Sequence, residues 1–233
     1  MLNRRYFPAS LFLFILFLVS IVMATNTTPF TLQADPNTDI WRKPPTTNVW
    51  SAPISRTSTG PLKNFRSARV TFWAPWTERY DQAGLLLVPR RASSPAPTTG
   101  SPAPEKWLKT GIEYYRDQPQ LSTVGCDRWA DWSIGPLSRP VDPARGVTLE
   151  AVRERDEHGL SIWIYHLVLD SDTGAVLERI PLREVAWILA DAEEDGGEGE
   201  GWVLDVSPLV ARPEKNATAP LSAEFKEFSV VWD

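Results

Sequence analysis

Between Glu105 and Tyr115 the chain reads EKWLKTGIEYY, and alternate side chains fall into two sets. Trp107, Lys109, Gly111 and Glu113 form one; Leu108, Thr110, Ile112 and Tyr114 form the other, more apolar one. Alternation with period two predicts an extended strand whose apolar set faces a core. An aromatic, a cation, a glycine and a carboxylate on the remaining face suit a polar binding groove. The alternative is a plain solvated face, with Lys109 and Glu113 as ordinary surface charges. Gln82, Trp163 and Tyr165 recur on outward faces of other strands, and Asp131 and Trp132 are candidates for a rim. Aromatic rings stack on C–H-rich sugar faces and planar polar groups take paired hydroxyls. A single face gathering Gln82, Trp107, Lys109, Glu113, Trp163 and Tyr165 would therefore suit a carbohydrate.

Other chemistries find less support. His158 and His166 are the only histidines, eight apart, one in a predicted turn and one on the inward side of a strand, so no metal site is expected. Asp170-Ser171-Asp172-Thr173-Gly174 has oxygen ligands enough for calcium but reads as an ordinary turn. Cys126 is the only cysteine; it excludes an intrachain disulfide and reads as a quiet structural thiol. No nucleotide-binding loop or Ser-His-Asp order is visible, and no cofactor is expected. A net charge of -5 argues against a nucleic-acid surface.

Strands must position these residues. Ala68–Trp73 alternates, and Tyr80–Val88 ends in an apolar run that predicts burial on both faces. The strand at 105–115 is a candidate hairpin partner for it. Short extended runs follow at 121–124 and 129–133, and Val147–Arg155 and Ser161–Leu169 flank a turn at Asp156-Glu157-His158-Gly159. In the second of these, Ser161, Trp163 and Tyr165 share one face and Ile162, Ile164 and Val168 the other. Ile180–Ala190 fits strand or helix. Trp202–Val206 and Phe228–Trp232 supply the last strands. Residues 30–53 mix short strands with prolines and predict a sheet edge, because Pro44-Pro45 forbids a central strand. Loops are expected at 51–66, at 89–104 (flexible and exposed) and at 191–201 (acidic, glycine-rich and disordered). The sum is one antiparallel β-sandwich or jelly roll with minor helix.

Arg4 and Arg5 precede an apolar run from Leu11 to Ala24. This reads as a cleaved signal peptide over residues 1–24, with a signal anchor as the alternative, ahead of a single domain over 25–233. No permanent membrane association is expected. Asn26 and Asn216 head glycosylation sequons.

In order, YDQAGLLL at 80–87, WLKTGIEY at 107–114, ADWS at 130–133 and SIWIY at 161–165 resemble the DUF1349 family, named in fungi "regulation of enolase protein 1". The resemblance extends over most of residues 30–233, from FTLQADPNTDIWRKPP to FSVVWD. It implies a concanavalin A-like lectin/glucanase jelly roll of two antiparallel sheets. Family members mostly lack a leader, so the chain is either secreted or, if the leader is a gene-model extension, cytoplasmic. Glucanases of this fold carry their acids on one strand as E-x-D-x-E or E-x-D-x-x-E. Here Glu113 is followed by Tyr114, Tyr115, Arg116 and Asp117, so Tyr115 stands where an acid is needed. Asp81, Glu113 and Asp131 could converge only from separate strands. The reading is a non-catalytic carbohydrate-binding or carbohydrate-sensing module. The alternatives are a regulator of carbon metabolism that binds a protein partner and no sugar, and a glycan hydrolase or lyase.

Overall fold

The computed structural model describes residues 23–26, 28–138, 140–191 and 201–233. In chain order the strands are β1 (Met23–Asn26), β2 (Phe30–Ala34), β3 (Ile40–Lys43), β4 (Thr47–Trp50), β5 (Ser58–Pro61), β6 (Phe65–Trp73), β7 (Gln82–Arg91), β8 (Trp107–Tyr115), β9 (Gln118–Cys126), β10 (Ala130–Pro136), β11 (Val147–Asp156), β12 (Gly159–Leu169), β13 (Val176–Val185), β14 (Trp202–Ala211) and β15 (Leu221–Trp232). They build two antiparallel sheets stacked as a jelly-roll sandwich. Among the described residues, one sheet runs β1-β15-β6-β11-β12-β13 with β2 also on β15, and the other runs β10-β9-β8-β7-β14-β5. Inward residues of both sheets, among them Leu85, Leu87, Leu108 and Ile112 against Phe72, Leu149, Ile164 and Phe228, fill one core.

The six-stranded sheet carries a second core on its outer face. The β3–β4 hairpin, which turns at Pro44-Pro45, folds over it, and Ile40, Trp50 and Ala52 meet Leu86, Val88, Trp107 and Val124. The apolar run of β7 is thus buried on both sides, as its sequence predicts. It also corrects the expectation for residues 30–53: the proline pair stands at the tip of a hairpin lying on a sheet face, while only β2 takes a sheet position, on β15. The connection at 89–104 is anchored to this hairpin. Trp50 Nε1 donates to the Thr98 carbonyl (3.1 Å), and Arg42 donates to the carbonyls of Pro104 (2.5 Å) and Glu105 (2.6 Å).

Three further stretches differ from expectation. The 51–66 segment contains β5, which pairs with β14 through Ser58–Pro61. The ambiguous run at 180–190 is strand to Val185; Ile188 and Leu189 beyond it reach the core. β15 begins seven residues before Phe228, at Leu221, because its first part pairs with β2. Of the proposed leader, residues 1–22 lie outside the described residues, while Met23 and Ala24 pair with Trp232 and Val231. Most of the acidic loop at 191–201 and the side chain of Asn26 also lie outside them; Asn216 is exposed in a turn.

Candidate functional site

β7 and β8 run antiparallel with Gly84 directly opposite Gly111. A Cβ on Gly84 would run into the Thr110 carbonyl, and one on Gly111 into the Ala83 carbonyl. The two backbones therefore approach as only glycines allow. Two missing side chains at one cross-strand pair leave bare backbone on the outer face. The result is a hollow of about 10 Å³ lined by Gln82, Lys109, Glu113, Ser122 and Leu209 among others.

Register supplies the wall. Glu113 stands opposite Gln82 on β7 and Gln120 on β9, and Gly111 opposite Ser122. The Ser122 hydroxyl donates to Glu113 Oε2 (2.8 Å) and accepts from Trp132 Nε1 (3.0 Å), which makes a chain Trp132–Ser122–Glu113. On the other side Lys109 Nζ donates to Gln82 Oε1 (2.7 Å) and to Asp39 Oδ1 (3.3 Å), and Gln82 Nε2 also donates to Asp39 (3.3 Å). The ammonium lies 5.9 Å from the ring centres of both Trp41 and Trp107. At the far end Tyr80 and Tyr115 stack at 5.7 Å, and Trp132 meets both edge-on at 6.1 and 5.4 Å. Arg79 sits 4.5 Å over Tyr80, and Arg116 lies beside Tyr115.

Burial controls the charges. Lys109 is 5 % exposed and Glu113 6 %, so neither is a solvated surface charge. Loss of water holds the Glu113 carboxyl above the usual glutamate range, and the Lys109 charge and the Ser122 hydroxyl offset this only in part. A folded-state value above the unfolded one means that the folded chain holds the extra proton. Glu113 therefore weakens stability as pH rises out of the ordinary glutamate range and through its raised value. Glu113→Gln is expected to raise the melting temperature at pH 7, with the gain vanishing near pH 4, when scans of both proteins are compared.

A sequence model of the family described as "Protein of unknown function (DUF1349)" matches residues 21–174. The chain belongs to this family. An uncharacterized protein of Emericella nidulans is 45% identical over 166 residues, 71% of this chain and 70% of that one. Among solved structures, a functionally unknown protein from Saccharomyces cerevisiae superposes with a TM-score of 0.59 at 20% identity, over 91% of this chain and 96% of that one. A xylan beta-1,4-xylosidase from Bacillus halodurans C-125 gives 0.46 at 13% identity, over 72% of this chain and 28% of that one. The DUF1349 match includes β7 through β10, which carry the hollow, and ends before β13, β14 and the closing FSVVWD.

Within this DUF1349 chain the expected site residues divide. Gln82, Lys109 and Glu113 line the hollow and Trp132 reaches its edge by donating to Ser122, whereas Trp107, 1 % exposed, is packed beneath the β3–β4 hairpin with its ring centre 5.9 Å from the Lys109 ammonium. Trp163 and Tyr165 are elsewhere. They belong to β12 in the seven-stranded sheet, on the face opposite its core-lining Ile162 and Ile164. Their rings stack on each other at 6.1 Å, with Arg179 4.6 Å over Tyr165. Matching alternation on two strands does not say which sheet each strand joins. Asp131 is one residue out of phase with Trp132 and turns the other way, where it pairs with Arg183 of β13. Asp81 does not approach Glu113 as an acid partner; it is committed to Arg212.

The remaining candidates for chemistry have structural explanations. Asp170 Oδ1 accepts from the backbone of Asp172 (3.1 Å) and Thr173 (2.9 Å) and from the Thr173 hydroxyl (2.7 Å), so it closes its turn. His166 is buried against the core side of β12, and burial lowers its pKa. Cys126 is buried in the outer core, which raises its thiol. Among the described residues no group of three His, Cys, Asp or Glu is arranged to hold a metal. Sequence reading missed Asp39, Trp41, Tyr80 and Ser122 as site residues. Only Ser122 carried a signal, since it alternates in phase with Gln120 and Val124 on a recognised strand.

Proposed function

We propose that the outer face of the six-stranded sheet binds a carbohydrate and performs no chemistry on it. One observation carries this reading: beside the bare Gly84–Gly111 backbone, the Trp132–Ser122–Glu113 chain fixes a polar edge directly next to the Tyr80, Tyr115 and Trp132 rings. Such a pairing offers hydrogen bonds to hydroxyls and stacking to a sugar ring within one small area. The absence of catalysis is supported by Tyr115. Its ring lies in the aromatic wall, and the carboxylate whose charge acts on Glu113 is Asp39, whose Oδ1 is held by Lys109.

A glycan array followed by calorimetry of the hits tests the reading. Binding of at least one saccharide at millimolar concentration or below is expected, without release of product from labelled oligosaccharides. Absence of binding to any mono- or polysaccharide would remove it and leave the protein-partner reading; product release would replace it with a hydrolase. Trp163→Ala serves as the control. Its position on the opposite sheet leads us to expect unchanged affinity in the same titration.

A further inference from the structure

We infer that the hollow admits a single uncharged hydroxyl-sized group, so that the ligand class is neutral sugars and not uronic or other acidic ones. The inference rests on the carbohydrate reading above and narrows it. A volume of about 10 Å³ is at the lower limit for one water molecule, roughly 10–15 Å³. A whole ring cannot enter, whereas one exocyclic hydroxyl can, with the ring itself left against the aromatic wall. Charge decides what that group is. Among the described residues the one cation lining the hollow is Lys109, and its ammonium is already matched by the Asp39 carboxylate and the Gln82 carbonyl oxygen. Across from it stands Glu113, whose Oε2 is held by Ser122. A ligand carboxylate placed here would meet the acidic side chain of Glu113 and a cation already matched by Asp39, at a site too small to bring water along. A hydroxyl can both donate and accept, and it meets a carboxyl, a serine hydroxyl and an ammonium that suit either role. Arg79 and Arg116 lie at the tyrosine end, over and beside the rings of Tyr80 and Tyr115, and do not line the hollow.

The test is a calorimetric titration of the full chain with the methyl glycosides of glucose, galactose and mannose, and with glucuronate, galacturonate and mannuronate at the same pH. The neutral sugar that binds best is expected to exceed its own uronate by at least about tenfold, because unmatched buried polar groups discriminate strongly. Ser122→Ala, which removes the hydroxyl holding Glu113, is expected to weaken that sugar about fivefold or more while the melting temperature stays within a few degrees. A uronate that binds as tightly as its neutral parent overturns the inference and leaves carbohydrate binding standing. So does a Ser122→Ala variant that melts normally and binds normally. If neither neutral nor acidic sugars bind, the carbohydrate reading itself falls, and the inference with it.

Discussion

Asp81→Ala is expected to lower stability by about 3–5 kcal/mol, the usual result of removing one partner from a buried ion pair. Asp81 is fully buried. Arg212 donates to both of its oxygens, Nε to Oδ1 at 2.8 Å and Nη2 to Oδ2 at 2.7 Å. The backbone N–H groups of Thr77 and Glu78 donate to Oδ2 as well. The guanidinium goes on to the Ala219 carbonyl (2.7 Å), so the pair ties the connection before β7 to the one after β14. Removing the carboxylate leaves the buried Arg212 cation without its counter-ion and the N–H groups of Thr77 and Glu78 without this acceptor. For a chain of this length the loss corresponds to a fall in melting temperature of roughly 6–20 °C, measurable in a thermal scan. Arg212→Met should cost a similar amount, and the double variant should cost less than the two singles together, because each single strands the other's charge. Tyr80, which precedes Asp81, sits at φ 68, a region that a tyrosine enters only when its surroundings impose it. The N–H of Tyr80 donates to Tyr114 and that of Tyr114 to Asp81. The ion pair therefore also helps to place the aromatic wall of the site.

Trp107→Ala is the second large effect, about 3–5 kcal/mol, in the range for a fully buried aromatic. Its ring fills the space between the six-stranded sheet and the β3–β4 hairpin, against Ile40, Trp50, Leu86, Val88 and Val124. Without it the hairpin loses a large apolar contact, and Asp39, at the start of that hairpin, loses support for its position beside Lys109. Chemical denaturation measures the first consequence. The second appears as a weaker titration with the neutral sugar, greater than that caused by Trp163→Ala.

The strands themselves were legible because alternation is a local property. WLKTGIEYY and the apolar run of β7 announce their states and their pairing without help from distant residues. Which faces are covered is a global property. The set Trp107, Lys109 and Glu113 reads as solvent-facing because two of its members are charged, yet the hairpin at 40–50 and the side chains of β9 and β10 close over it. That closure also explains why a lysine and a glutamate are tolerated there: each is hydrogen-bonded within the sheet surface. Trp163 and Tyr165 show the same pattern on the other sheet. Asp39 escaped notice because it lies in a proline-broken segment with no periodicity, more than forty residues from Gln82 and seventy from Lys109.

The central claim, that ligand meets the outer face of the six-stranded sheet at the Trp132–Ser122–Glu113 chain, is tested most directly by the indole N–H resonance of Trp132. That proton is donated to Ser122, so anything entering the hollow disturbs it. In an NMR titration with the neutral sugar that binds, with the resonance assigned through Trp132→Phe, the Trp132 signal is expected to shift in a saturable way while that of Trp163 stays fixed. A shift at Trp163 with Trp132 unmoved would contradict the account.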